Sequence, residues 1–176
     1  PDTTSITITS ELFDASIMGK FKLSTLPASL EKMVDHYVNL IPGNYPETDT
    51  INRFDYHVDL KHVNPILDFF FPKIQIAENS SIHGQNNPGK GINKAVGLFP
   101  ELGIGPGSWS NAEYHTRTHN NEFEFKFRSD SLVYGRNYAL ENQQFHLLAS
   151  NDTARLNINW SNQAESMYSG EIKLYG

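Results

Sequence analysis

Residues 122–128 read Glu122-Phe123-Glu124-Phe125-Lys126-Phe127-Arg128, a strict alternation of charge and aromatic ring. Successive side chains of an extended strand point to opposite faces, so the phenylalanines share one face and the charges share the other. The same alternation runs through much of the chain. Ile6 and Ile8 alternate with threonines, Ile17 and Phe21 share a face, and Phe54, Tyr56, Val58 and Leu60 alternate with Asp55, His57 and Asp59. Further on, Phe145 and Leu147, then Leu156, Ile158 and Trp160, then Ile172 and Leu174 repeat the period. A chain written this way predicts an antiparallel sheet with one wet face and one apolar face.

Outward from that stretch, the second half is nearly all strand signal. The pattern predicts strands at Trp109–Thr118, Glu122–Arg128, Ser131–Tyr134 with Tyr138–Leu140, Gln143–Ala149, Ala154–Trp160 and Ser166–Tyr175. Turns are expected at Asn120-Asn121, Ser129-Asp130, Asn151-Asp152 and Ser161-Asn162. Residues 85–107, rich in Gly, Asn and Pro, read as loop with short strands at Ala95–Leu98 and Leu102–Ile104. In the first half, Asp14-Ala15 is expected to turn between two strands, and Ile74 and Ile76 open another. Leu26, Leu30, Met33, Val34, Tyr37 and Ile41 mark an amphipathic helix from Pro27 to Ile41, stopped by Pro42-Gly43 and followed by a polar loop to Thr50. Ile66 to Phe71 reads as a short helical insertion ended by Pro72, its phenylalanines expected to tuck into the apolar face. The stretch Asp14–Gly19 is echoed at Asn79–Gly84, and more loosely at Met167–Leu174, which suggests a repeating strand unit.

Composition sets the limits. The chain has 176 residues, enough for one domain, yet only 38% are hydrophobic, and mean hydropathy is −0.48. That is lean for a two-layered globule and suits a thin sheet in which most strands keep a wet face. Net charge is −6, so nucleic acid is an unsuitable partner. There is no cysteine, which removes disulfides, thiolate metal sites and cysteine nucleophiles. No apolar run is long enough to span a membrane as a helix. Opening at Pro1 directly into a strand pattern, the chain reads as a single β-rich segment, 1–176, cut from a longer protein.

A search for chemistry returns little. Phosphate-loop, dinucleotide, zinc-protease and nucleophile-elbow motifs are absent from the sequence. His115 and His119 flank Arg117 at period two; two histidines on one face suit a metal, but the cation between them does not. His57 sits between Asp55 and Asp59 on a wet face, and His36, His62, His83 and His146 have no partner spacing. Asp55, Asp59, Glu122 and Glu124 read as solvated carboxylates rather than a facing pair across a cleft. The expectation is therefore no enzyme, no metal and no cofactor. The recurring aromatics leave two readings open: a hydrophobic groove on an open sheet, or a closed carbohydrate-binding or adhesin-like sandwich with a few wet aromatics such as Trp109, Tyr114 and Tyr138.

Three stretches carry a family resemblance: Ile17-Met-Gly-Lys-Phe-Lys-Leu-Ser-Thr-Leu-Pro27, Leu60-Lys-His-Val-Asn-Pro-Ile-Leu-Asp-Phe-Phe-Phe-Pro72 running on to Gly84, and Leu156-Asn-Ile-Asn-Trp160 with Ser169-Gly-Glu-Ile172. Together they resemble a segment of the TamB-type translocation and assembly module proteins, as in their Bacteroidetes members, which belong with the AsmA-like proteins. The resemblance implies a periplasmic body of repeated strands folded as a β-taco, an extended, curved antiparallel sheet forming a trough. It also implies an inner-membrane anchor outside this segment, and a role in moving phospholipid and assembling outer-membrane β-barrel proteins. It implies no catalytic residue. The residues expected to line a lipid groove are Ile6, Ile8, Ile17, Phe21, Phe54, Tyr56, Val58, Leu60, Ile74, Ile76, Phe123, Phe125, Phe127, Phe145, Leu147, Leu156, Ile158, Trp160, Ile172 and Leu174, with phospholipid acyl chains as the partner.

Overall fold

In the computed structural model, which describes residues 3–27, 29, 52–119, 122–136, 138–150, 153–162 and 167–175, the chain is mainly β. Its strands are β1 (Thr4–Thr9), β2 (Phe13–Lys20), β3 (Arg53–Leu60), β4 (Ile74–Ile76), β5 (Ser80–Asn87), β6 (Ile92–Ile104), β7 (Gly107–His119), β8 (Glu122–Tyr134), β9 (Tyr138–Ser150), β10 (Thr153–Ser161) and β11 (Met167–Tyr175). They form one 11-stranded sheet in the order β1-β2-β3-β5-β6-β7-β8-β9-β10-β11, with β4 beside the end of β6. Every pairing is antiparallel. A near-sequential order follows from short connections between strands whose alternating pattern needs only one covered face.

The sheet is open and uncurled, with β1 and β11 at opposite edges. The trough expected from the sequence is not formed by these strands. Rolling a sheet around an axis works best with strands of matched length and progressive stagger. Here β6 to β9 have 13 residues each, whereas β1, β2, β3 and β5 have six or eight. No second sheet packs on the first among the described residues, so the closed sandwich core of the alternative reading is also missing.

Several expected boundaries move. The turn between β1 and β2 lies at Ser10–Leu12, not at Asp14-Ala15. There Ser10 Oγ donates to the Phe13 carbonyl at 2.7 Å and accepts from the Phe13 amide at 3.0 Å. Residues 92–104 form a full strand rather than loop, and Ser129-Asp130 lies inside β8. Leu26 and Pro27 are helical; apart from Ser29, the remainder of the expected helix to Ile41 lies outside the described residues, as do the loop at 43–50 and the turns at Asn120-Asn121 and Asn151-Asp152.

The short insertion forms as α1 (Asn64–Phe70), with Pro65 in its first turn, where a missing N–H costs nothing. It is anchored by the Asn64 side chain, which accepts from the Ile76 amide at 2.9 Å and donates to its carbonyl at 3.0 Å. Its phenylalanines do not reach the sheet: Phe69, Phe70 and Phe71 are 80%, 65% and 58% exposed. A buried core cluster sits at the β1–β3 side, and Val63, Ala95, Phe99 and Ala112 are buried elsewhere. Phe21 and Leu26 fold back over Phe54, with Ile6, Ile17 and Tyr56 around them. Asn52 holds this cover in place, accepting from the Lys22 amide and donating to the hydroxyls of Thr25 and Ser29.

Candidate functional site: the apolar face

Directly opposed residues in an antiparallel pair lie on the same face, so register alone assembles the site. One row runs Ile8, Ala15, Val58, Ile82, Gly97, Tyr114, Phe127, Phe145, Ile158 and Gly170 across the sheet. The next runs Ile6, Ile17, Tyr56, Gly84, Ala95, Thr116, Phe125, Leu147, Leu156 and Ile172. A third carries Phe54, Phe123, Ala149, Ala154 and Leu174. Leu60, at the end of β3, faces Phe13, and Trp160 stacks on Tyr168 with ring centroids 5.9 Å apart. Phe21 reaches the same face from the segment after β2, meeting Phe54 edge-on at 6.1 Å.

Two glycines are required by this packing. A Cβ on Gly84 would run into the Tyr56 ring and the Lys94 carbonyl, and one on Gly97 would run into the Tyr114 ring. Each tyrosine lies flat over the neighbouring strand's glycine, which keeps the middle of the face low. Tyr114 in turn stacks between Phe99 and Phe125, at 5.9 and 6.5 Å.

The alternation then changes phase. On β7 the apolar face carries Ala112 and Tyr114, but three residues before Ala112 it carries Trp109. On β8 it carries Phe127 and then Leu132; on β6, Phe99 and then Leu102. Asn111 and Asn142, with φ of 47° and 51°, mark the shift on β7 and β9. Asparagine tolerates this left-handed conformation better than most residues because its short amide bonds locally. The shift swings Leu102, Ile104 and Trp109 onto the face of Phe125, Phe127, Phe145, Leu147 and Leu156, and these side chains line a shallow cavity of about 320 Å³. Ile74 and Ile76 join the same end of the face through their partners Ile104 and Leu102. The Trp109 indole N–H is satisfied at the cavity wall, donating to Gln143 Oε1 at 3.1 Å. Register thus brings the sequence-derived groove residues to one face, although Phe54 lies under the cover and Phe21 forms part of it, away from the cavity. Leu102, Ile104 and Trp109 were hidden from the groove list by the phase shift, which a fixed period-two reading cannot anticipate.

The opposite face is polar and ion-paired. A single row crosses it through Ser16, His57, His83, Val96, His115, Lys126, His146, Asn157 and Glu171. His57 meets Asp59 at 2.9 Å, and His146 and Lys126 meet Glu124 at 2.9 and 2.7 Å. Glu113 is bridged by His115 and Arg128. The hydrogen bond from His115, then that from Arg128, holds the Glu113 carboxyl below its usual range; Lys126 and then His146 do the same for Glu124. Among the described residues no three metal-ligating side chains converge. Of these pairs, His57–Asp59, His115–Glu113 and Lys126–Glu124 lie two residues apart on one strand, whereas Arg128–Glu113 and His146–Glu124 cross between strands and pin register; the partners of His146 and of His62, which meets Glu78, come from another strand or loop, so sequence spacing does not show them.

Comparison with protein-family models, with curated proteins and with solved structures returns no match.

Proposed function

We propose that this chain is a lipid-handling segment of a periplasmic envelope protein of the TamB-type, AsmA-like class, in which the apolar face holds phospholipid acyl chains. The observation that supports it best is the part of that face left uncovered among the described residues: a continuous run of aromatic and aliphatic side chains around the Trp109–Phe125–Leu156 cavity, backed by a polar, ion-paired opposite face. A half-buried apolar cavity that opens onto the face supports an interaction site there rather than a closed folding core. Methylenes lying on one open face lose only part of their water, so each contributes about half of the 0.8 kcal/mol of full burial. Acyl chains would therefore be held loosely enough to move. Headgroups would stay at the strand ends, in water. The role needs no bond making, and no helix among the described residues is long and apolar enough to cross a membrane.

The test uses the tryptophan in the cavity. In a Trp160→Phe background, phospholipids brominated on the acyl chain should quench Trp109 fluorescence, and Phe125→Asp should abolish the quenching while circular dichroism remains that of a β-sheet. Unquenched Trp109 at saturating lipid in the folded background protein refutes the proposal.

A further inference from the structure

The apolar face does not stop at the cavity. Toward the turns that join β6 to β7 and β8 to β9, two more rows continue on the same side. The first sets Leu102 against Trp109, Trp109 against Leu132 and Leu132 against Leu140. The second sets Ile104 against Gly107, Gly107 against Tyr134 and Tyr134 against Tyr138. The Trp109 ring lies over Gly107, where a Cβ would be 3.1 Å from the indole. The outer row is wet: Ile104 and Tyr134 are half exposed, and Tyr138 is 71% exposed. The opposite face turns apolar at the same level, where exposed Val133 stands against Ala139.

Helix α1 ends beside this rim. Ile74 pairs with Ile104, and its amide donates to the Phe71 carbonyl at 2.8 Å. The Gly105 amide donates to the Lys73 carbonyl at 2.7 Å, and the Gly135 amide to the Pro106 carbonyl at 2.9 Å. Backbone bonds thus tie the three tips together. They place the exposed rings of Phe69, Phe70 and Phe71 at the same end as Tyr134 and Tyr138. Lys73 and Arg136 are exposed on these tips, and Asp68 is the one acid of α1. The far ends of the same strands differ: His119, Glu122, Ser150 and Thr153 stand there in register.

We infer that this aromatic end docks into the interfacial zone of an anionic phospholipid bilayer, with the polar strand ends held in water. The chemistry fits a bilayer in three ways. Tyrosine, an apolar ring with a polar tip, settles at headgroup depth, and exposed phenylalanines reach the acyl boundary just beneath it. Lys73 and Arg136 beside them meet anionic headgroups, in a chain whose net charge of −6 would otherwise be repelled. The cavity and the rim also share Ile104, so an acyl chain passes from bilayer to cavity along one face without crossing the polar one. That route rests on the proposed function; the docking does not.

Vesicle flotation tests this on the whole chain. The unaltered protein should float with vesicles of phosphatidylethanolamine and phosphatidylglycerol, and bind vesicles of phosphatidylcholine alone about tenfold less. Phe70→Ser combined with Tyr138→Ser should weaken binding by about tenfold or more. Lys73→Glu combined with Arg136→Glu should remove the preference for anionic vesicles. An environment-sensitive fluorophore on Tyr138→Cys, in a chain with no cysteine of its own, should shift to the blue on the anionic vesicles, and the same label on Thr153→Cys should not. In the Trp160→Phe background, the tip variants should keep the circular dichroism of a β-sheet and the quenching of Trp109 by a short-chain brominated phospholipid below its micelle concentration. Phe125→Asp should lose that quenching and still float, so the docking and the acyl-chain cavity fail separately. Unaltered protein that stays in the soluble fraction overturns the inference. So do tip variants that float as well as the unaltered chain, and so does a Thr153 label that shifts as far as the Tyr138 label.

Discussion

Truncating one phenylalanine under the cover and one on the open face separates a packed core from a working surface. Phe54 is 1% exposed beneath Phe21 and Leu26. Replacing it with alanine loses the transfer free energy of the ring and leaves a closed hole, for which a cost of about 3–5 kcal/mol is typical. Phe125 sits in the wall of an open cavity, between Thr116 and Leu147. Its truncation leaves no closed hole, because the space is continuous with solvent. What is lost is part of one ring's burial and its cross-strand contacts with Tyr114 and Leu147, about 1–2 kcal/mol. A domain holds only about 5–15 kcal/mol in total, so Phe54→Ala should shift the urea midpoint far more than Phe125→Ala, at similar slope. The same two variants should reverse order in the brominated-lipid assay, with Phe125→Ala losing the most quenching. Equal destabilisation by the two would mean that the Phe125 region is as enclosed as the Phe54 region, and the open-face reasoning fails.

Other consequences follow from single contacts. Among the described residues Thr116 Oγ1 is buried without a hydrogen-bond partner, so Thr116→Val should stabilise the fold by about 1 kcal/mol, measured by denaturant titration. Gly84→Ala should destabilise by about 2–3 kcal/mol or more, because its Cβ meets the Lys94 carbonyl, whereas Gly170→Ala, with nothing within 4 Å, should be neutral or slightly stabilising in a thermal melt. The paired carboxyls Glu113 and Glu124 are held below the ordinary value of 4.5 by their partners. A folded value below the unfolded one contributes stability that is complete above the unfolded value and lost as pH falls through the folded one. Melting temperature should therefore drop as pH falls below about 4.5, and Glu113→Gln with Glu124→Gln should flatten that drop.

The alternation in Glu122–Arg128 declares a strand because nothing but a pleat places rings and charges on separate faces, and register then carries that face across the sheet. What the sequence conceals is of two kinds. Composition marks 92–104 as loop, yet Gly97 serves a strand: it makes room for the Tyr114 ring, a need that lives on the neighbouring strand. Ser129-Asp130 has turn chemistry, yet Asp130 takes the Asn111 amide at 2.7 Å and lies beside the phase shift, so the strand runs on. Both are tertiary decisions, taken by residues many positions away. The exposed Phe69–Phe71 stretch errs in the other direction. Apolarity argues for burial, but α1 is held by its Asn64 clamp to Ile76, and that clamp sets where its rings point.

These features bear on why a single layer stands at all. A sheet with one face in water ordinarily draws its stability from the other face, and here, among the described residues, the segment after β2 covers that face over Phe54. Over β6 to β10 further stabilisation comes from cross-strand rings on one side and cross-strand ion pairs on the other: Phe127 with Phe145 at 5.7 Å above, and Glu113 with Arg128 and Glu124 with His146 below. Each such pair contributes only about 0.2–1 kcal/mol, but they recur along strands of 13 residues, and together they fix a register that a one-residue slip would invert. The charge ladder is thus what allows the rings to remain uncovered. A face filled by a second layer would draw its stability from that layer; on the proposed function the ladder supplies it instead and leaves the face to acyl chains.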